Sequence, residues 1–210
     1  MLPLIIKSAS LSVSSSISPT HYPSQKNHER IMNKKNSVFI ATSLDGYIAD
    51  KKGGMDWLHS IPNPNNDDMG YVEFIKEIDA LIMGRKTFET VLGFDVEWPY
   101  NQAVFVLSNK LKEIPDTHKD KAFLIKGTLI EILDQIHEKG LNRLYVDGGT
   151  TIRSFLKEDL IDEMVLTTIP ILLGGGSSLF GELPNELKFE LIGAKTYANQ
   201  ITQNHYRRKR

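Results

Sequence analysis

A chain of 210 residues without cysteine, carrying 25 Lys+Arg against 26 Asp+Glu and 40% hydrophobic side chains, reads as a soluble globular protein of one domain or at most two small ones. The absence of thiols excludes disulfide frameworks, zinc ribbons and cysteine nucleophiles, and no two of the six histidines are spaced to share a helical face, so no metal site is expected. A formal charge of −1 gives no global pull toward nucleic acid. No run approaches the ~18 apolar residues that cross a bilayer, so neither nucleic acid nor membrane is an expected partner.

The first 31 residues differ from the rest: Ser8 to Ser18 alternates serine with Ala, Leu, Val and Ile, and no acid precedes Glu29. Leu2 to Ile6 is too short for a secretory signal and contains Pro3, and the segment lacks the arginines of a transit peptide. Met32 offers an alternative start of translation. Residues 1–36 are therefore read as a disordered or spuriously included leader, 37–207 as a single domain and 208–210 as a basic tail, with the cytoplasm as the expected location. Arg207, Arg208, Lys209 and Arg210 together read as a solvated end.

From Ser37 onward, β-rich runs alternate with helical patterns, which implies an α/β sheet with crossover helices. Val38 to Ala41 opens as a strand. A loop rich in Gly, Asn, Asp and Pro (Asp50 to Asp68) leads to an amphipathic helix over Met69 to Ile78. Ala80 to Met83 reads as a buried strand, Lys86 to Leu92 as a short helix, and Ala103 to Leu107 and Ala122 to Ile125 as further strands. Thr128 and Glu131 form a capping-box pattern for a helix over Thr128 to Lys139, which Gly140 terminates. Leu144 to Val146 is the next strand, followed by a helix from about Thr151 to Lys157, a β run from Met164 to Leu173, and two or three antiparallel strands between Leu187 and Arg207. Gly174 to Gly176 reads as a hairpin or bulge after Pro170.

Ligands of open α/β sheets sit at the carboxyl ends of strands, where helix N-termini present unpaired N–H groups. Three such ends carry suitable residues: Gly84-Arg85-Lys86-Thr87, with a sharp turn, two cations and a hydroxyl; Asp147-Gly148-Gly149-Thr150, whose glycines allow close approach of a diphosphate; and Leu107-Ser108-Asn109-Lys110. Together they have the shape of a dinucleotide site. The G-x-G-x-x-G and G-x-x-x-x-G-K-[ST] patterns are both missing, so neither an ordinary Rossmann domain nor a P-loop protein is implied.

In order and spacing, Ile40-Ala41, Leu44-Asp45-Gly46-Tyr47-Ile48-Ala49, Gly54-Met55-Asp56-Trp57, Met83-Gly84-Arg85-Lys86-Thr87-Phe88, Val106-Leu107-Ser108 and Asp147-Gly148-Gly149 resemble the dihydrofolate reductase superfamily. Ser43 to Ala49 and Pro170 to Gly176 resemble its branch containing the riboflavin-biosynthesis reductase domain. The resemblance implies a mostly parallel central sheet with an antiparallel C-terminal edge and helices on both faces. It implies an NADPH-dependent reductase acting on a pteridine-like or pyrimidine-like heterocycle, such as a phosphoribosylaminouracil; a non-catalytic NADP(H)-binding protein on the same fold is the alternative. It also implies a homodimer.

Carried over by position, the resemblance puts Ala41 and Ile48 beside the nicotinamide, Gly84, Arg85, Lys86 and Thr87 at the adenosine phosphates, and Leu107, Ser108 and Asn109 or Lys110 near the 2′-phosphate. Gly148, Gly149 and Thr150 fall at the diphosphate, with a cis bond expected between the paired glycines. Family spacing counted back from Gly84 lands on Asp68 as the catalytic acid, though Asp67 and Asp68 equally suit a helix N-cap. Asp45, near the nicotinamide edge, is the second candidate acid, and its Asp-Gly pair equally suits a turn. Trp57 reads as a core residue, with a lid over the site as the alternative. The stretch Thr87 to Pro99 lacks the arginine-bearing segment with which riboflavin-type reductases hold a phosphoribosyl group.

Overall fold

A computed structural model describes residues 34–64 and 66–210, and the leader, apart from its last three residues, lies outside them. Among the described residues ten strands form: β1 (Lys35–Ser43), β2 (Tyr47–Ala49), β3 (Ala80–Gly84), β4 (Ala103–Leu107), β5 (Ala122–Ile125), β6 (Arg143–Asp147), β7 (Glu163–Ile169), β8 (Ser177–Ser178), β9 (Phe189–Tyr197) and β10 (Ile201–Arg208). Four α-helices accompany them: α1 (Tyr71–Lys76), α2 (Arg85–Leu92), α3 (Leu129–His137) and α4 (Gly149–Lys157). Eight strands make one sheet in the order β5-β4-β3-β6-β1-β7-β10-β9, while β2 and β8 form a separate ribbon. The six strands from β5 to β7 run parallel, and β10 and β9 add an antiparallel edge.

Strands buried on both faces read as nearly continuous apolar runs rather than as alternation. In β1, Phe39 and Ala41 join one core with Leu81, Met83, Val104, Val106, Tyr145 and residues of α1 and α2. The intervening Val38 and Ile40 join the opposite core with Ile82, Phe105, Leu144, Val146 and the apolar faces of α3 and α4. Helices thus cover both faces. Trp57 is a core residue, 8% exposed.

Several boundaries depart from expectation for local reasons. The first helix begins at Tyr71 rather than Met69, because Asp67 accepts the Met69 N–H at 2.7 Å and Met69 itself adopts φ +53°. The α3 capping box forms as expected, Glu131 accepting from the Thr128 N–H at 2.8 Å. β1 starts at Lys35, two residues inside the expected leader. The β run after Met164 ends at Ile169, and the glycines beyond it lead into β8. Gly176 (φ +137°) lies so close to β2 that a Cβ there would stand 2.1 Å from the Ala49 carbonyl oxygen.

The arginines at the chain end are not merely solvated. Arg208, in β10, grips Asp159 at 2.6 and 2.9 Å, Arg210 bonds Asp162 at 2.6 Å, and Arg207 approaches Glu163 at 3.4 Å. Glu163 also holds Lys35 at 2.6 Å and His205 at 2.9 Å, which ties β1, β7 and β10 together at one end of the sheet. Burial opposes its ionisation, but the His205 and Lys35 bonds prevail and hold its pKa down to about 2.

Candidate active site

Strand β6 follows β5 in sequence yet inserts between β3 and β1. Its C-terminal end therefore lies at a topological switch point, where crossover helices leave toward opposite faces and a crevice opens. Here the crevice is a groove of about 760 Å³, within the ~300–1,000 Å³ usual for small-molecule sites. It gathers Ala41, Ile48, Gly84, Arg85, Lys86, Thr87, Leu107, Gly148, Gly149 and Thr150 from five separated segments. Ser108 and Asn109 are not among its lining residues; the Ser108 hydroxyl instead accepts the N–H groups of Lys110 (3.1 Å) and Leu111 (2.8 Å), closing a turn.

Two helices aim their N-termini into the groove, α2 behind Gly84 and α4 behind Gly148, and neither carries a side-chain cap. Their first-turn N–H groups are thus available to an anion, reinforced by the helix dipoles. The paired glycines set the spacing. Gly148 has φ +88°, and a Cβ on it would fall 2.1 Å from Thr87 Oγ1; one on Gly149 would fall 2.6 Å from Ile48 Cδ1. What requires glycine at these positions is the close approach of protein to protein, which draws the α2 start, the α4 start and β2 together. The Gly148–Gly149 bond is trans, as are all peptide bonds of the described residues, so the expected cis bond is not present. Arg85 lines the groove while its guanidinium bonds both oxygens of Glu89 at 2.6 and 2.7 Å.

Neither acid singled out in the sequence lines this groove. Asp68 accepts the N–H groups of Gly70 (3.0 Å) and Val72 (2.7 Å), which makes it a capping residue for α1. Asp45 accepts from the Ser43 hydroxyl (2.6 Å) and from the Leu173 and Gly174 N–H groups (3.1 and 2.8 Å), pinning the 170–176 segment to the β1 turn. The Ser43 bond foremost, with those two N–H groups, keeps its pKa below the ordinary value despite a smaller opposing effect of desolvation, so Asp45 is a carboxylate at neutral pH.

The acid that does line the groove is Asp147, at the end of β6. In the sequence it figures only as the first residue of the glycine turn; the available signal is its place as the lone acid closing an apolar strand. Burial pushes its pKa up, against the bond it accepts from the Gly148 N–H at 2.8 Å. Tyr71, Tyr100 and Tyr145 lie near enough that burial and then the Asp147 charge raise all three phenol pKa values. Tyr145 donates to the Phe39 carbonyl at 2.9 Å, whereas the hydroxyls of Tyr71 and Tyr100 have no hydrogen-bond partner among the described residues. Met55, Leu58, Val91 and Phe94 complete the groove with apolar walls.

This architecture is dihydrofolate-reductase-like: dihydrofolate reductase of Enterococcus faecalis, solved with NADP(H), superposes with TM-score 0.57 at 18% identity over 84% of this chain and 97% of that one. More narrowly, the model of the RibD C-terminal domain matches residues 35–203, and the chain belongs to that family. It is 37% identical over 178 residues to YwjB of Bacillus subtilis (strain 168), an uncharacterized protein, covering 83% of this chain and 98% of that one. It is also 57% identical to a crystal structure from Shewanella sp. PV-4, provisionally described as a riboflavin biosynthesis protein, with TM-score 0.82 over 84% of this chain and 99% of that one. Among the described residues no helix is long and apolar enough to cross a membrane.

Proposed function

We propose that this chain is an NADPH-dependent reductase that adds hydride and a proton across a C=N bond of a pteridine-like or pyrimidine-like ring. The observation that carries the reading is Asp147: a carboxyl with a raised pKa, on the groove lining between two uncapped helix N-termini. A dinucleotide fits these residues, since its diphosphate meets the N–H groups of α2 and α4 while Arg85 and Lys86 supply positive charge. Ala41 and Ile48 flank the position of the nicotinamide, and NADPH, when bound, supplies the hydride. The solved complex of the E. faecalis reductase with NADP(H) supports the choice of cofactor.

Asp147 donates its proton to the ring nitrogen as the adjacent carbon accepts hydride, then recovers one from water after product leaves. With the hydride that bound NADPH would supply, this proton would complete the conversion of C=N to CH–NH. Desolvation raises the pKa of the donor and so favours its protonated form, while Met55, Leu58, Val91 and Phe94 line the groove with apolar surface.

The test has two stages. NADPH at about one hundred times its Kd stabilises the fold by about 2.7 kcal/mol, seen as a rise in melting temperature. Asp147→Asn retains that rise but lowers kcat by about 10²–10⁴-fold. Unchanged turnover in Asp147→Asn removes the assignment of the acid, and no thermal response to NADPH removes the cofactor.

A further inference from the structure

The β1–β6 ladder is short. It runs from Lys35 opposite Arg143 to Ser37 opposite Tyr145 and stops there. Past that level β6 stays paired with β3 as far as Asp147 opposite Met83, and β1 stays paired with β7 as far as Ser43 opposite Ile169. The two strands therefore part beyond Tyr145, and the diverging ends bring Ala41 of β1 and Asp147 of β6 to the groove lining.

Tyr145 stands where the parting begins. Its hydroxyl donates to the Phe39 carbonyl at 2.9 Å, two residues beyond the last β1–β6 pair, so a side chain bridges the strands where the ladder has ended. Strand alternation puts Tyr145 and Asp147, two residues apart, on the same face of β6, and Tyr145 packs on that face in the core that also holds Phe39, Tyr71 and Tyr100. Among the described residues, the ionisable groups around Asp147 are Tyr145 on its own strand, Tyr71 at the start of α1, Tyr100 ahead of β4, and Arg85 and Lys86, which share the groove lining from the start of α2. The Asp147 charge acts on all three phenols; Tyr145 is the one whose hydroxyl also meets the carboxyl as a hydrogen-bond partner.

Proton donation changes what Asp147 needs. Once ionised, it is an acceptor with several lone-pair sites, of which the Gly148 N–H at 2.8 Å occupies one. A desolvated carboxylate with open sites is costly. The Tyr145 hydroxyl carries one proton and rotates to suit its acceptor. A bond to a charged acceptor is roughly twice as strong as one to a neutral acceptor, so ionisation of Asp147 favours a turn away from the Phe39 carbonyl.

We propose that Tyr145 is a positioning residue for proton donation: its hydroxyl turns from the Phe39 carbonyl to the Asp147 carboxylate as the proton leaves, and turns back when Asp147 is reprotonated. No proton leaves Tyr145; the proton that reaches the ring is that of Asp147, and its replacement comes from water. The proposal rests on the reductase reading above and deepens it.

The test follows the Asp147 carboxyl directly, by carbon-13 NMR on the full chain without ligand, its signal identified by its loss in Asp147→Asn. Tyr145→Phe removes a donor to the carboxylate, so Asp147 should titrate at higher pH than in the unaltered protein. Tyr71→Phe removes a buried hydroxyl that has no partner among the described residues, and should leave the titration in place. Incorporation of 3-fluorotyrosine at position 145 keeps the ring and strengthens its hydroxyl as a donor, so it should move the titration to lower pH; it also decides the matter where Tyr145→Phe fails to fold. A proton donor is lost as pH rises through its pKa, so the alkaline limb of the kcat/KM profile in Tyr145→Phe should move to higher pH with the carboxyl. In the same variant kcat should fall about tenfold while the Kd of NADPH stays within about twofold. An Asp147 titration unmoved by either change at position 145, or moved equally by Tyr71→Phe, overturns the proposal, as does an alkaline limb that stays in place while the carboxyl moves. Failure of the reductase reading looks different: unchanged turnover in Asp147→Asn removes Asp147 as the acid, and the proposal with it, whichever way the titration falls.

Discussion

Gly148→Ala tests the packing that holds the two helix N-termini together. The residue has φ +88° and ψ 130°, a backbone state that side-chain-bearing residues avoid, and adopting it costs about 1–3 kcal/mol. Independently, the new methyl would stand 2.1 Å from Thr87 Oγ1 and 3.2 Å from Thr87 Cβ, so one of the helices has to shift, which costs a further ~1–3 kcal/mol. The total expected loss is about 2–6 kcal/mol, read from urea denaturation. Thr87→Ala removes the closer atom and not the backbone strain, so the double variant Thr87→Ala/Gly148→Ala should recover about 1–2 kcal/mol relative to the sum of the single changes. Additive losses in the double variant would refute the claim that Thr87 sets the helix spacing. Because the same two N-termini are proposed to hold the diphosphate, Gly148→Ala should also weaken NADPH binding.

Glu163, held at a pKa of about 2 against an ordinary 4.5, stabilises the fold by about 3 kcal/mol above the ordinary value, an amount lost as pH falls from 4.5 toward 2; Glu163→Gln should flatten this part of the stability-against-pH curve, and an unchanged slope would contradict the role given to its bonds. Asp68→Ala should cost about 1 kcal/mol through loss of the α1 cap while kcat stays within about twofold; a loss of kcat comparable to that of Asp147→Asn would restore Asp68 as the acid. Tyr145→Phe leaves the buried Phe39 carbonyl without its donor and should cost about 1–3 kcal/mol in denaturant titration, whereas a neutral result would mean that the carbonyl finds another partner.

What the sequence reveals depends on how local the cause is. Ala103–Leu107 and Ala122–Ile125 are recovered at their full extent because each is an apolar run bounded by turn residues. The α3 start is likewise legible, since Thr128 and Glu131 carry the whole cap within four residues. By contrast α4 begins at Gly149, two residues earlier than its pattern suggests, because glycine there is dictated by Ile48, about a hundred residues away. The pairing of Arg208 with Asp159 spans a sequence separation of 49 and exists only once β10 lies beside β7. The candidate acids divide in the same way. Asp68 and Asp45 stand out by motif position but serve local turns and caps, whereas the perturbation of Asp147 comes from packing that no window of the sequence contains.

That division follows from the topology. The chain lays down β1, then β3, β4 and β5, and only afterwards places β6 between β1 and β3. Before this insertion Gly84 and Ala41 are not bridged, Thr87 has no Gly148 against which to pack, and Asp147 is not enclosed. The groove is therefore a property of the completed sheet rather than of any βα unit, and its closure requires contacts of long sequence separation. A ligand that bridges α2 and α4 binds only the assembled state and so stabilises the insertion of β6. Amide hydrogen exchange can detect this directly: NADPH should slow exchange in β6 and its neighbours β1 and β3 more than in the edge strand β9, and equal slowing throughout the sheet would argue against the groove as the place where the cofactor acts.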